Sequence, residues 1–223
     1  MSLFTVIEAE KELISNRQLE TATFGMGCFW GPEARFGSLP AVIRTRTGYA
    51  GGTTENPTYR TMADHTETVE IDFDPAISSF QEILLHFWRN HYPNRDQYKG
   101  QQYVSSLRYH NEQQKRTIEL VKAEMEKELG EIIETEITPL AHFTLAEERH
   151  QKYYIKRYPK ILEQLQSLYP TEQSMRNSTF AARLNGFVKG FVTRDQIVTE
   201  IQCWPVAEIA RRQLIEHFLN LKW

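Results

Sequence analysis

Cysteine is nearly absent from this chain, with Cys28 and Cys203 the only two in 223 residues. Two thiols so far apart build no disulfide framework and are too few for a zinc thiolate cage, so chemistry at cysteine must be nucleophilic or redox. Long apolar runs are also missing. No window approaches the roughly 18 consecutive apolar residues of a membrane span, and the N-terminal stretch, which carries Glu8, Glu10, Lys11 and Glu12, does not read as a secretory signal. Runs of like charge are absent and the formal net charge is −3, which leaves no electrostatic footprint for nucleic acid or an anionic membrane. The histidines His65, His86, His91, His110, His142, His150 and His217 include no His-Glu-x-x-His pair, so no metal site is expected. What remains, 40% hydrophobic and 25% charged residues, implies a soluble, cytoplasmic protein with one substantial core, or a core domain with an appended segment.

Residues 1–19 have the mixed character of an arm or short helix, and Thr21–Met26 reads as a strand running into Gly27. Gly48, Gly51, Gly52, Asn56 and Pro57 mark a loop. Thr66–Phe73 alternates, with Val69, Ile71 and Phe73 on one side and Glu70 and Asp72 on the other, which predicts a half-buried strand. Phe80, Ile83, Leu84, Phe87 and His91 fall at helical spacing, and Ser78 or Ser79 can cap the helix. Tyr103–Tyr109 predicts a strand. Asn111–Leu129 predicts a helix that buries Ile118, Val121, Met125 and Leu129 and closes at Gly130. Ile132–Ile137 predicts another strand, and Ala146–Tyr158 a helix stopped by Pro159. Strands and helices mix without βαβ repetition. An α+β two-layer sandwich follows, helices packed on a mixed, mainly antiparallel sheet. Beyond Tyr169, Phe180–Phe191 and Val206–Leu221 read as short amphipathic helices of an appendage.

Cys28 lies in Gly27-Cys28-Phe29-Trp30-Gly31-Pro32-Glu33, directly after a strand. Proline is accommodated only in the first turn of a helix, so a helix through Glu33, Ala34, Arg35 and Phe36 begins just before Pro32. Cys28 then sits at a helix N-terminus, where backbone N–H groups and the helix dipole favour thiolate over thiol. The local context alone equally allows an inert thiol.

Gly27–Gly31 resembles the cysteine motif of the A-type peptide methionine sulfoxide reductases. Arg46–Gly52, Asn56–Tyr59, His65–Pro75, Gln102-Tyr103 and Glu147–Tyr154 resemble further blocks of that family in the same order, across roughly residues 20–160. The resemblance implies a ferredoxin-like core, with Cys28 as the attacking residue and Phe29 and Trp30 caging the substrate methyl group. It implies Glu67 as the acid, and Tyr59 and Tyr103 as hydrogen-bond donors to the sulfoxide oxygen. By alternation Glu67 shares the apolar face of Val69, where desolvation would keep a carboxyl protonated. The implied reaction reduces methionine S-sulfoxide, free or in oxidised proteins, and leaves Cys28 as a sulfenic acid. Electrons come from thioredoxin, glutaredoxin or a small thiol, and no bound cofactor is implied.

The chain departs from the family where many members carry an acidic residue, here Tyr98, with Asp96 nearby, and it lacks the usual cysteine-bearing tail after Tyr158. Cys203 is therefore either the resolving thiol or a structural one. The expected organisation is an N-terminal arm (1–19), a catalytic domain (20–168) and a C-terminal helical appendage (169–223). The competing readings are another cysteine-dependent thiol enzyme, and a module that binds methionine sulfoxide without turnover.

Overall fold

A computed structural model describes residues 6–94 and 100–222. Tyr98 and Asp96, where the sequence departs from the family pattern, lie outside the described residues. The sheet is built from β1 (Glu20–Met26), β2 (Val42–Ala50), β3 (Thr66–Phe73), β4 (Ser105–Tyr109), β5 (Glu136–Pro139) and β6 (Phe143–Leu145), in the order β5-β4-β1-β3-β2-β6. Only the β4–β5 pair is parallel. Helix α2 (Trp30–Gly37) connects β1 to β2, and α3 (Phe80–Arg89) lies between β3 and β4. The central strands thus run β-α-β-β-α-β in sequence and lie β4-β1-β3-β2 in space, so β1, which leads into Cys28, and β3, which carries Glu67, are neighbours.

Antiparallel pairing places Val69 opposite Phe24 and Ile71 opposite Ala22, so their side chains share one face. That face packs on Ile83, Leu84, Phe87 and Trp88 of α3 and on Ile118, Val121 and Met125 of α4 (Glu112–Leu129). Ser79 caps α3 through a reciprocal pair with Glu82, and Asn111 caps α4, which ends at Gly130 in the left-handed conformation. Leu129, expected inside, is 44% exposed at the last residue of α4. β3 is buried along almost its whole length rather than half-buried. It is an inner strand, and the charges on its second face are paired there, Arg46 with Glu70 at 2.9 Å and with Asp72 at 2.8 Å.

Other expectations shift with tertiary context. Gly48 belongs to β2 rather than to the loop, and the Phe143 ring packs over it where a side chain would stand. Tyr103 closes a 3-10 turn, Gly100–Tyr103, instead of opening a strand. The strand expected at 132–137 is β5 at Glu136–Pro139, and Ile132 is 78% exposed. The helix expected over Ala146–Tyr158 is broken into a 3-10 turn at Glu148–His150 and α5 (Tyr153–Lys156), because Lys152 takes a left-handed conformation between them. Pro159 starts the next helix, α6 (Pro159–Leu168), as a first-turn proline.

The C-terminal region holds α7 (Glu172–Arg176), α8 (Thr179–Lys189), α9 (Arg194–Gln202) and α10 (Glu208–Leu219). Helix α1 (Val6–Ile14) inserts Val6, Ala9 and Leu13 into the same hydrophobic cluster as Leu184, Ile197, Ile201, Leu214 and Phe218. Among the described residues no helix is long and apolar enough to cross a membrane. Helix α8 crosses α2 closely: a Cβ on Gly37 would lie 2.9 Å from the Ala182 carbonyl oxygen, and one on Gly186 would lie 2.9 Å from that of Ala34. Arg183, 1% exposed, donates to the Gly37 and Pro40 carbonyls at the end of α2 and holds Glu200 of α9 at 2.7 Å. Removing one partner of such a buried pair strands the other. Arg183→Ala is therefore expected to lower the unfolding free energy by roughly 3–5 kcal/mol, measured as a fall in the urea midpoint. A loss below about 1 kcal/mol, the range of exposed pairs, would show that the cap does not hold α2.

Candidate active site

β1 delivers the chain into a sharp turn at Gly27, whose φ of 82° suits glycine. Cys28 follows, and Phe29 is the N-cap of α2. The thiol is thereby set at the start of the helix, where the first backbone N–H groups lack intrahelical partners. Cys28 is exposed and is not joined to Cys203 by a disulfide. Its neighbour Phe29 is buried, and the Phe29 N–H donates to Glu67 Oε2 at 3.0 Å.

Glu67 is 1% exposed although it is charged in its free form. Its other oxygen, Oε1, accepts from Gln102 Nε2 at 2.8 Å. Gln102 and Tyr103 both come from the 3-10 turn before β4. Burial, then the nearby Glu67, then Tyr59, hold the Tyr103 hydroxyl well above the ordinary tyrosine range, and Tyr103 and Tyr59 are hydrogen-bonded to one another. The Tyr103 hydroxyl therefore stays a protonated donor over the physiological range. The charge of Cys28 is felt by Tyr103 and by Tyr154, whose hydroxyl is also raised, mainly by burial. Cys28, Phe29, Glu67, Tyr59 and Tyr103 accordingly converge on one place.

Trp30 forms the side wall. Its indole stacks on Tyr153 with ring centroids 3.8 Å apart and planes 5° from parallel. Its Nε1–H points at His150 Nδ1, 3.3 Å away. The His150 ring also lies against Tyr59, at 4.8 Å, and Phe29, at 5.4 Å. Arg149 Nε approaches the opposite ring nitrogen at 3.1 Å. A neutral imidazole has one acceptor nitrogen, so the indole and the guanidinium compete for it, and a proton on Nε2, which faces Glu147 at 3.8 Å, leaves Nδ1 for Trp30. Glu147 ties the rim together: it accepts from the Tyr49 hydroxyl at 2.8 Å and from the Tyr59 backbone N–H at 3.3 Å.

Cys203 is not part of this assembly. It ends α9 and lines a groove with Arg35, Ser38 and Pro40, beside the C-terminal end of α2. Sequence reasoning assigns no role to Gln102, Tyr49 or Tyr153. Their only signal was position: Gln102 next to Tyr103, Tyr49 within the glycine-bearing block, and Tyr153 within Glu147–Tyr154. Among the described residues, no cluster of His, Cys, Asp and Glu could hold a metal ion.

Burial lowers the affinity of His150 for a proton below the ordinary histidine range, with Glu147 acting in the opposite sense. Protonation would remove the acceptor for the Trp30 indole. Because the folded-state affinity is depressed, the neutral form persists below the ordinary value of about 6.5, and its contribution to stability falls as pH drops beneath that value. The 15N resonance of the Trp30 indole is expected to titrate with a midpoint below about 6.5 and to lose that transition in His150→Gln. A midpoint at or above the ordinary histidine value would contradict the assignment.

Comparison with known proteins agrees with this geometry. Residues 20–183 match the family described as peptide methionine sulfoxide reductase. The chain is 40% identical over 222 residues to a peptide methionine sulfoxide reductase of Drosophila melanogaster, covering 96% of this chain and 89% of the relative. It is 39% identical over 200 residues to peptide methionine sulfoxide reductase A5 of Oryza sativa, covering 84% and 78%. The fold is similar to that of methionine sulfoxide reductase A of Corynebacterium diphtheriae, with a TM-score of 0.55 and 31% identity over 64% of this chain and 76% of that one. It is also similar to reduced Mxr1 of Saccharomyces cerevisiae, with a TM-score of 0.59 and 26% identity over 64% and 87%. The α+β fold, the convergence on Cys28 and this matched span together establish that the chain belongs to the peptide methionine sulfoxide reductase family.

Proposed function

We propose that this methionine sulfoxide reductase works by attack of the Cys28 thiolate on the sulfoxide sulfur of methionine S-sulfoxide, free or within an oxidised protein. The observation that carries the reading is the pairing of an exposed thiol with a buried carboxyl one residue away, Glu67 being bonded to the Phe29 backbone. The sulfoxide oxygen leaves only once protonated. Glu67 supplies that proton as the S–O bond breaks, and Tyr59 and Tyr103 donate to the oxygen as charge develops on it. Phe29 and Trp30 hold the methyl group, and fixing methyl, oxygen and sulfur together selects one epimer. The oxygen leaves the methionine sulfur as hydroxide, which adds to Cys28 Sγ as the new bond between Sγ and the methionine sulfur breaks, so methionine departs and Cys28 becomes a sulfenic acid; one thiol condenses with it to release water, and a second thiol frees Cys28 as a disulfide is released.

The recycling thiol is external in this reading, of the thioredoxin, glutaredoxin or small-thiol class. Cys28 precedes α2 and Cys203 sits by its far end, and α2 has eight residues. Eight helical residues span about 12 Å, against the roughly 4.4–6.8 Å between Cα atoms that a disulfide allows. A cytoplasmic setting suits such chemistry, since thiol reductants there keep cysteines reduced. No bound cofactor enters any step. We further propose residues 20–168 as the catalytic unit, with 1–19 as an N-terminal arm and 169–223 as a helical appendage that joins it through α8.

A single turnover without reductant, on each epimer separately and with thiols counted before and after, tests the scheme. One methionine from the S-epimer with loss of the Cys28 thiol alone is expected. Loss of both thiols would make Cys203 the resolving residue, and no methionine from either epimer would leave a binding module. Cys28→Ser should abolish reduction. Glu67→Gln should slow the chemical step by roughly 10²–10⁴-fold, and a near-normal rate in that variant would remove the acid from Glu67.

A further inference from the structure

Lys152 is a fully buried lysine in a left-handed backbone conformation, φ 51° and ψ 44°. Either feature alone is costly. Its ammonium group nevertheless places each of its three donors: on Glu33 Oε1 at 2.9 Å, the Thr45 carbonyl at 2.7 Å and Thr45 Oγ1 at 2.9 Å. The Lys152 backbone N–H donates to the other Glu33 oxygen at 2.8 Å. Both side chains are entirely shielded from solvent.

The neighbours explain what this arrangement holds. The residues on either side of the buried pair Gln151-Lys152 are His150 and Tyr153, the two that grip the Trp30 indole. Gln151 is pinned to β2 as well, accepting from the Thr47 N–H at 3.0 Å and donating to the Thr47 carbonyl at 2.8 Å. Glu33 is three residues beyond Trp30 on α2, so the two lie on the same side of that helix. The bond from Lys152 to Glu33 therefore closes a loop of contacts: Trp30 to His150 and Tyr153, along the chain to Lys152, across to Glu33, and back along α2 to Trp30. The left-handed turn at Lys152 is also what breaks the segment between the 3-10 turn and α5, so that His150 and Tyr153 converge on one indole.

We propose that Lys152 is a positioning residue for substrate binding, fixing the Trp30 wall of the pocket through Glu33 and Thr45. The proposal deepens the reductase reading and rests on it. A purely structural pair would affect stability and leave the pocket of any folded variant unchanged.

The double variant Glu33→Gln with Lys152→Met separates these roles, because it removes both buried charges, keeps similar volumes and keeps an acceptor for the Lys152 backbone N–H. Lys152→Met alone is expected to lower Tm, and the double variant to recover most of that loss. Both are expected to raise KM for N-acetylated methionine S-sulfoxide by roughly 10-fold, within the 10²-fold that a misplacement of about 1 Å can cost. With excess dithiothreitol as reductant, kcat is expected to stay within about 3-fold, the pattern of lost binding rather than lost chemistry. In protein labelled with 5-fluorotryptophan, the 19F resonance of Trp30, assigned with Trp30→Phe, should move or broaden in both variants. A double variant that melts near wild type with wild-type KM and an unmoved Trp30 resonance would overturn the proposal. If the double variant does not recover its Tm, Thr45→Val decides instead: it removes one acceptor, is expected to raise KM about 3-fold, and overturns the proposal with an unchanged KM. Absence of turnover in the wild-type enzyme would be a failure of the reductase reading, distinct from turnover that the variants leave unaltered.

Discussion

The hydrogen bond from the Phe29 N–H to Glu67 joins the turn that carries Cys28, the proposed nucleophile, to the strand that carries Glu67, the proposed acid. β1 and β3 are adjacent antiparallel strands, so the end of one and the start of the other meet at the same end of the sheet. That bond ties the turn to the sheet in addition to the turn's own flanks. With it, one Glu67 oxygen is committed to the backbone and the other to Gln102, which fixes the plane of the carboxyl.

Helix α2 is eight residues long, too short to be stable alone, yet it sets the height of the thiol. It is fixed at several points along its length. Glu67 holds the N-cap, Lys152 holds Glu33 in the middle, and Arg183 closes the far end by capping Gly37. Each of these partners is buried, and each is bound to a different part of the fold: a strand, the segment after β6, and α8. Buried ion pairs of this kind contribute little net stability, since desolvation consumes most of the Coulomb attraction. They exclude alternative positions of the helix, because any displacement would leave a charge buried and unpaired.

Much of this was readable in the sequence, for reasons that differ by element. Thr66–Phe73 emerges at its predicted bounds because its period-two alternation marked it as a strand. Pro32 located the start of α2 to within two residues, because a proline is tolerated only in the first turn. Sequence pattern failed where tertiary contacts override local preference. Nothing in Ala146–Tyr158 announces that Lys152 turns left-handed, since the compensation comes from Glu33, 119 positions earlier. Pro159 is ambiguous for the same reason: the same residue that stops one helix is well suited to begin another. The site residues Cys28, Glu67, Tyr59 and Tyr103 were accessible as motif positions, whereas the contacts that orient them, from Gln102, His150 and Tyr153, depend on which rings meet in space.

The C-terminal helices belong to this same logic. The approach of α8 to α2 requires glycine at both Gly37 and Gly186, one in the segment after the nucleophile and the other far along the chain, so the two helices are matched to each other. The alignment with the fly relative covers 96% of the chain, and thus runs through these helices as well as the sheet. Arg183 then makes the match chemical as well as steric, since its guanidinium is shared between the α2 carbonyls and Glu200 of α9. Helix α1 completes the arrangement from the other terminus: Glu10 accepts from Ser178 at 2.7 Å and from the Phe180 N–H at 2.8 Å, capping the start of α8. A carboxyl at that helix start is favoured by the dipole, while burial pushes it up to about 7. Since that lies above its free value of 4.5, the stability it contributes is greatest below the free value and declines as pH rises toward neutrality. The support behind Cys28 therefore extends from Glu10 through α8 and Arg183 to α2.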